Sequence, residues 1–253
     1  MQRRRMVALL GGAPLLGAQA APGPGLDVGF DDGSFPLQYG LADGSAAGLY
    51  PAIVGSVGQR LGWPLQLLAR PFKRVLADLM QGEACGGALV RTPEREAYAL
   101  FSQAYYVERL LVFALRGRVR TFRTLADLAG HRVGVIRGWS YGAEFDAARQ
   151  QHLFEAEEVA NDRQNFVKLF RERIDYVVAT ELGGRLIVPT APPDQPVQES
   201  ERPVAETPIH FAMRRSLPQA AERIAAFNGA LRELQREGAI LRLVEREMLA
   251  SAR

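Results

Sequence analysis

Gly138-Trp139-Ser140-Tyr141-Gly142 is the stretch of this sequence most suggestive of a reaction. It is a Gly-x-Ser-x-Gly run between a strand-like segment, Arg132 to Ile136, and a helical pattern, the setting that presents a nucleophilic serine. Asp175 and His210 follow in the order a Ser-Asp-His hydrolase uses. Two features oppose that reading. No His-Gly-Gly-type segment supplies an oxyanion hole, and Asp175 opens a strand where such an acid normally follows one. The same turn also reads as a glycine-rich cradle whose backbone N–H groups meet the anionic end of a ligand. That second reading is the better supported. Metal chemistry is disfavoured, because His131, His152 and His210 stand far apart without partners at ligand spacing. Cys85, the only cysteine, lies among small apolar residues and reads as an inert buried thiol. The sequence implies no metal and no cofactor.

Strand and helix patterns alternate around these residues, which predicts an α/β architecture. Leu26 to Phe30 reads as a first strand, ended by Asp31-Asp32-Gly33-Ser34. Leu49, Ile53, Val57 and Leu61 recur at helical spacing up to Gly62, and Leu65 to Ala69 is a second strand. Phe72, Val75, Leu76, Leu79 and Met80 trace a helix face closed by Gly82, before a buried strand over Gly86 to Val90. A new rhythm starts at Leu110 to Leu115. Further on come a helix marked by Phe166, Leu169 and Phe170, and a strand over Tyr176 to Ala179. Pro189 to Pro208 reads as a loop or crossover, and Ile209 to Met213 as a strand. Ser216 is expected to cap a helix that has Pro218 in its first turn. A last amphipathic helix follows Gly238.

Composition bounds what this chain does. Its 253 residues are 47% hydrophobic and 23% charged, an ordinary globular balance. The net charge of +3 comes from Arg3, Arg4 and Arg5; without them acidic and basic side chains balance, so no nucleic-acid footprint is present. Those arginines, the apolar run from Met6 to Ala18 and the Ala18-Gln19-Ala20 site form a cleavable export signal over residues 1–20. The expectation is a periplasmic protein that begins near Ala21.

One longer order of motifs remains. Arg91-Thr92-Pro93-Glu94-Arg95 precedes Leu100-Phe101-Ser102-Gln103-Ala104-Tyr105-Tyr106. This resembles the Thr-x-x-Arg and Phe-Ser-x-x-Tyr-Tyr signature of periplasmic solute-binding proteins that feed polar amino-acid ABC transporters. Asp31 to Pro36 is similar to that family's first ligand loop, Gly44 to Gly48 to its approach to the first helix, and Arg132 to Gly138 to its second-lobe strand and turn. The resemblance implies a two-lobed α/β fold of the type II periplasmic binding class, with two hinge strands and a ligand cleft between the lobes. Lobe 1 would comprise residues 21–108 and 209–253, and lobe 2 residues 109–208. The chain would cross near Val107–Leu111 and return near Glu206–Ile209.

Carried over residue by residue, the resemblance implies a ligand-binding set of Asp31, Ser34, Phe35, Phe72, Val90, Arg95, Gly138, Trp139, Ser140, Tyr141 and Thr180. Arg95 would hold a carboxylate with its planar fork, Ser140 and neighbouring N–H groups would add contacts, and Phe35 and Phe72 would flank the apolar part. The sequence departs from the family pattern where an aspartate usually holds the ligand ammonium: Thr180 stands there, with Glu181 beside it. Lys73, Arg74 and Arg91 would add positive potential near the cleft. The expectation is therefore a monomer that captures a small carboxylate-bearing ligand, favouring acidic or non-amino carboxylates over basic amino acids. Its partners would be an ABC transporter permease or a membrane sensor, and not nucleic acid. The alternatives are an enzyme on the same fold, of the cyclohexadienyl-dehydratase kind with Glu181 or Asp31 as acid or base, and the serine hydrolase described above.

Overall fold

The computed structural model describes residues 25–251, apart from 120 and 121. The expected export signal lies outside the described residues. In chain order the elements are β1 (Leu26–Asp31), the short strands β2 (Gly33–Ser34), β3 (Gln38–Gly40) and β4 (Ala46–Ala47), then α1 (Leu49–Leu61), β5 (Leu65–Arg70), α2 (Phe72–Gln81) and β6 (Cys85–Val90). Next come α3 (Pro93–Glu96), β7 (Ala99–Phe101) and the ten-residue β8 (Tyr106–Leu115). They are followed by β9 (Arg132–Ile136), α4 (Ala143–Gln150), β10 (Glu155–Val159), α5 (Asp162–Phe170), β11 (Tyr176–Thr180) and α6 (Glu181–Ile187). β12 (Val197–Glu199), β13 (Ala205–Arg214), α7 (Ala220–Arg236) and α8 (Ala239–Ser251) complete the chain.

The helices form where an apolar stripe and a stop signal coincide. Leu49, Ile53 and Val57 bury one face of α1, and Gly62 adopts φ +65° to close it, a conformation that favours glycine. Gly82 closes α2 in the same way at φ +82°. The strands assemble in the order β10-β9-β11-β8-β13-β6-β1-β5, with β12 on β8 and β7 on β13. β1 pairs parallel with β5 and β6, and β9 pairs parallel with β10 and β11. β8 and β13 pair antiparallel, with Thr207 opposite Glu108 and Glu206 opposite Arg109. They join the two parallel halves of the sheet and occupy the stretches where the sequence expects the chain to cross.

Three apolar clusters hold the fold together. The first packs α1, α7 and α8 on β1, and the third lies beneath α5 between β8 and β11. The second runs from Phe72, Leu79 and Leu89 across to Trp139, Tyr141 and Phe145, so the halves share apolar contact.

Several local expectations need correction. The stretch from Pro189 to Pro208 contains β12 and the first residues of β13, and Pro208 lies in strand register with Val107. It sits just before β13 exchanges β8 for β6 as partner, a junction where a residue without an N–H is tolerated. Ser216 does not cap α7. Its hydroxyl accepts from Arg214 Nε, and the helix starts later, after Gln219. β10 has no apolar alternation, because it is an edge strand whose glutamates are mostly exposed.

Candidate functional site

Of the expected ligand residues, Phe72, Val90, Arg95, Gly138 and Trp139 meet where the two halves join. Thr92 accepts from the Arg95 N–H at 3.3 Å and so caps α3, with Pro93 as its first residue. That short helix turns the Arg95 side chain inward, where it is only 6% exposed. One guanidinium arm donates to the Val90 carbonyl at 2.8 Å, and the other crosses to the Gly138 carbonyl at 2.9 Å. The guanidinium also lies 5.6 Å from the centre of the Phe72 ring, which meets Trp139 edge-on at 6.0 Å. Burial lowers the affinity of Arg95 for its proton relative to a free arginine, though a guanidinium stays charged. A cavity of about 600 Å³ opens beside it, bounded by Thr92, Arg95, Trp139, Ser140, Asp146 and Thr207.

The Gly-x-Ser-x-Gly turn is tied to the first turns of α4 and is not arranged as a nucleophile. Ser140 Oγ donates to Asp146 Oδ2 at 2.5 Å, and the Tyr141 N–H donates to the other oxygen of Asp146 at 3.1 Å. The Tyr141 side chain is fully buried in the core, where its hydroxyl accepts from the Ile136 N–H at 2.6 Å. His210 Nδ1 lies 2.8 Å from the Ser102 carbonyl, and Asp175 accepts from the Arg132 N–H. Ser140, Asp175 and His210 therefore assemble no triad.

A second set of buried polar side chains is acidic. Asp31 at the end of β1 is 1% exposed, held by a 2.7 Å bond from Ser34 Oγ, while its Oδ1 has no hydrogen-bond partner. Glu108 on β8 is 5% exposed and accepts from Tyr50 Oη at 2.5 Å. Thr207, its register partner, is buried beside it. Asp162 is 6% exposed, and its Oδ1 also lacks a partner. Asn161 caps α5 by accepting from the Gln164 N–H, which fixes Asp162 in the first turn. A Cβ placed on Gly183 would lie 3.8 Å from Asp162 Oδ2, 2.7 Å from Thr180 Oγ1 and 3.6 Å from the Phe35 carbonyl. Asp162 and Thr180 therefore both flank Gly183. Thr180 itself is spent on capping α6, its Oγ1 accepting from the Gly183 N–H at 3.1 Å.

Burial pushes all three carboxyls up: Asp31 to about 6, Glu108 to about 7 and Asp162 to about 8. Like charge adds to this, since Asp31 acts on Glu108 and both act on Asp162. No basic side chain offsets any of them.

The cations expected to make the cleft positive are engaged elsewhere. Arg74 pairs with Asp78 and Glu83, Arg91 pairs with Glu96, and Lys73 is exposed. Glu181 is held by Arg109 at 2.6 Å and Arg185 at 2.7 Å on the wall of a cavity of about 210 Å³ that Glu108 and Thr180 also line. Phe35 is half-exposed against Tyr39 and does not face Phe72 as a ring pair. A larger surface recess between α1, α7 and α8 is lined by Arg60, Arg242 and Arg246, each bonded to neighbouring glutamates or to a carbonyl. It gathers none of the buried unpaired groups.

The profile of the bacterial extracellular solute-binding proteins, family 3, matches residues 26–249. The chain belongs to this family. As a solute-binding protein it has the two-lobed fold of its structural relatives, despite low identity. A substrate-binding protein of an amino-acid ABC transporter from Streptococcus pneumoniae, solved with L-arginine, superposes with a TM-score of 0.72 at 21% identity, covering 89% of this chain and 95% of that one. A histidine kinase sensor domain similar to periplasmic binding proteins gives 0.77 at 17%, covering 88% and 95%. An ancestral amino-acid-binding protein, a precursor of cyclohexadienyl dehydratase, gives 0.73 at 18%, covering 88% and 94%. No curated protein matches the chain. Among the described residues no helix of this solute-binding protein is long and apolar enough to cross a membrane.

Glu108, Thr207, Asp162 and Asp146 were absent from the sequence-derived set. Two of them carried a signal: Glu108 falls on the same strand face as Leu110 and Val112, and Thr207 lies between Ala205 and Ile209 at period two. Asp162 looked like an ordinary acid in a helix's first turn.

Proposed function

We propose that this solute-binding protein captures a small polar, amino-acid-like molecule between lobe 1 (residues 21–108 and 209–253) and lobe 2 (residues 109–208). It then presents that molecule to a membrane partner, an ABC transporter permease or a sensor. The observation that carries this reading is the Arg95 guanidinium, buried beside a cavity and bonded across to Gly138 of the second half. Asp31 and Asp162 add buried carboxylate oxygens without hydrogen-bond partners. A carboxylate would exchange for the carbonyls that Arg95 now contacts, and an ammonium would meet the unpartnered carboxylate oxygens. Closure of the lobes would exclude water and strengthen both interactions. The transporter and sensor relatives support both kinds of partner. Small-angle scattering tests this: adding a ligand that raises thermal stability should shrink the radius of gyration, and an unchanged profile at saturation would count against a closing cleft.

A second reading has one observation in its favour. Carboxyls raised to about 7 and 8 in a cleft are suited to proton transfer near neutrality, and one structural relative is a dehydratase precursor. Turnover of a prephenate-like substrate, abolished in Glu108→Gln or Asp162→Asn, would establish that reading in place of simple capture.

A further inference from the structure

We infer that Arg149 and the indole N–H of Trp139 form a second anion-receiving point in the cavity beside Arg95, and that the ligand places a further acceptor-rich group there, a carboxylate or a phosphate. This deepens the capture reading and rests on it. Arg149 stands in the last turn of α4. Long helical side chains lean toward the helix N-terminus, so its guanidinium is directed back toward the Gly138–Gly142 turn, and Nη2 comes within 3.9 Å of Asp146 Oδ1. Three arginines line the cavity, and two of them are engaged. Arg91 pairs with Glu96, and both arms of Arg95 donate to carbonyls. Arg149 differs. Its distance from Asp146 exceeds hydrogen-bond reach, and Asp146 is committed to the turn through Ser140 Oγ and the Tyr141 N–H. Its Nη1 is shut off from bulk water and has no hydrogen-bond partner.

Trp139 supplies an independent sign from a neutral group in the same cavity wall. Its side chain is buried, edge-on to Phe72 and tilted against Tyr141, and its Nε1 also lacks a partner. An indole nitrogen only donates, and a buried tryptophan N–H normally finds an acceptor. Both atoms are therefore donors, and one of them carries charge. The other acids of the cavity do not serve them: Glu94 sits exposed in the first turn of α3, and Glu206 faces Arg109 across the β8–β13 ladder. At about 600 Å³ the cavity matches sites that take ligands of drug size, which leaves room for a group beyond the one at Arg95. A carboxylate and a phosphate share this chemistry. The test separates them.

The experiment is calorimetry on the intact protein, stripped of co-purified ligand, with two matched pairs of probes: L-glutamate against L-glutamine, and O-phospho-L-serine against L-serine. In at least one pair the anionic member should bind about tenfold or more tighter than its partner, and the pair that responds assigns the carboxylate or the phosphate. Arg149→Met should remove most of that preference. Trp139→Phe, which keeps a ring and loses the N–H, should reduce it by roughly threefold. The unfolding midpoint checks that each variant is folded. A second readout leaves Arg149 in place: in Trp63→Phe, Trp139 is the one tryptophan left, and its emission should shift more with the anionic probe than with its partner. Equal affinities within both pairs, as when ordered water alone satisfies these donors, would overturn the inference and leave the capture reading intact. So would a preference that persists undiminished in Arg149→Met. If no probe binds, the molecule that co-purifies decides: two acidic groups on it uphold the inference, one or none overturns it, and no co-purified molecule at all overturns both readings.

Discussion

Replacing Asp162 by Asn should stabilise the ligand-free protein, and the gain should grow with pH. In the unfolded chain this carboxyl has an ordinary value of 3.8, and in the fold it is raised to about 8. Between those values the native state binds more protons than the unfolded state, so its contribution to stability falls as pH climbs from about 4 to about 8. At pH 7 the protein holds this proton over roughly three units, which costs at most about 4 kcal/mol at ~1.36 kcal/mol per unit. Asp31 and Glu108 share the same desolvated space and titrate together with Asp162, so one substitution should recover only about 1–3 kcal/mol. At this chain length that corresponds to a rise in Tm of roughly 3–10 °C. The assay is thermal and urea unfolding of the dialysed wild-type protein and Asp162→Asn at pH 5 and pH 8. The variant should gain more at pH 8 than at pH 5. An advantage that is absent, or that shrinks as pH rises, would refute the claim that burial and like charge strain this carboxyl. It would also remove the physical basis for an ammonium there.

Other consequences can be checked directly. Arg95→Ala removes the bonds to Val90 and Gly138 and should weaken a carboxylate-bearing ligand by about 2–5 kcal/mol, read by calorimetry as a loss of roughly 30-fold or more. Gly87→Ala should destabilise the fold by about 1–3 kcal/mol in urea unfolding, because the added Cβ would sit 2.2 Å from the buried Phe30 ring. Fluorophosphonate probes should leave Ser140 unlabelled, since its partner is Asp146 and not a histidine. Mass-spectrometric labelling at Ser140 would revive the hydrolase reading.

Much of the architecture was legible because single elements carry complete signals. α1 and α2 have apolar stripes closed by glycines at positive φ, and β9 spans the same residues that its apolar run marks. β10 was not legible, since an edge strand rich in exposed glutamates owes its form to β9 and not to its own pattern. The site divides in the same way. Arg95 lies in a recognisable motif whose Thr92 cap and Pro93 start explain how it turns inward. The acidic set was invisible as a unit, because Asp31, Glu108 and Asp162 are far apart in sequence and each is unremarkable alone. The expectation that basic ligands are disfavoured rested on Thr180. The positive potential that expectation also invoked is reduced, because Arg74 and Arg91 pair with neighbouring acids.

The central claim is that a small molecule is held by Arg95 and the buried acidic side chains. Native mass spectrometry of the freshly purified protein tests it most directly, with Arg95→Ala and Asp162→Asn prepared in parallel. The wild-type protein should carry one small-molecule adduct at one-to-one stoichiometry, and both folded variants should lose most of it. An adduct retained undiminished in both variants would contradict this account, because the ligand would then be bound elsewhere.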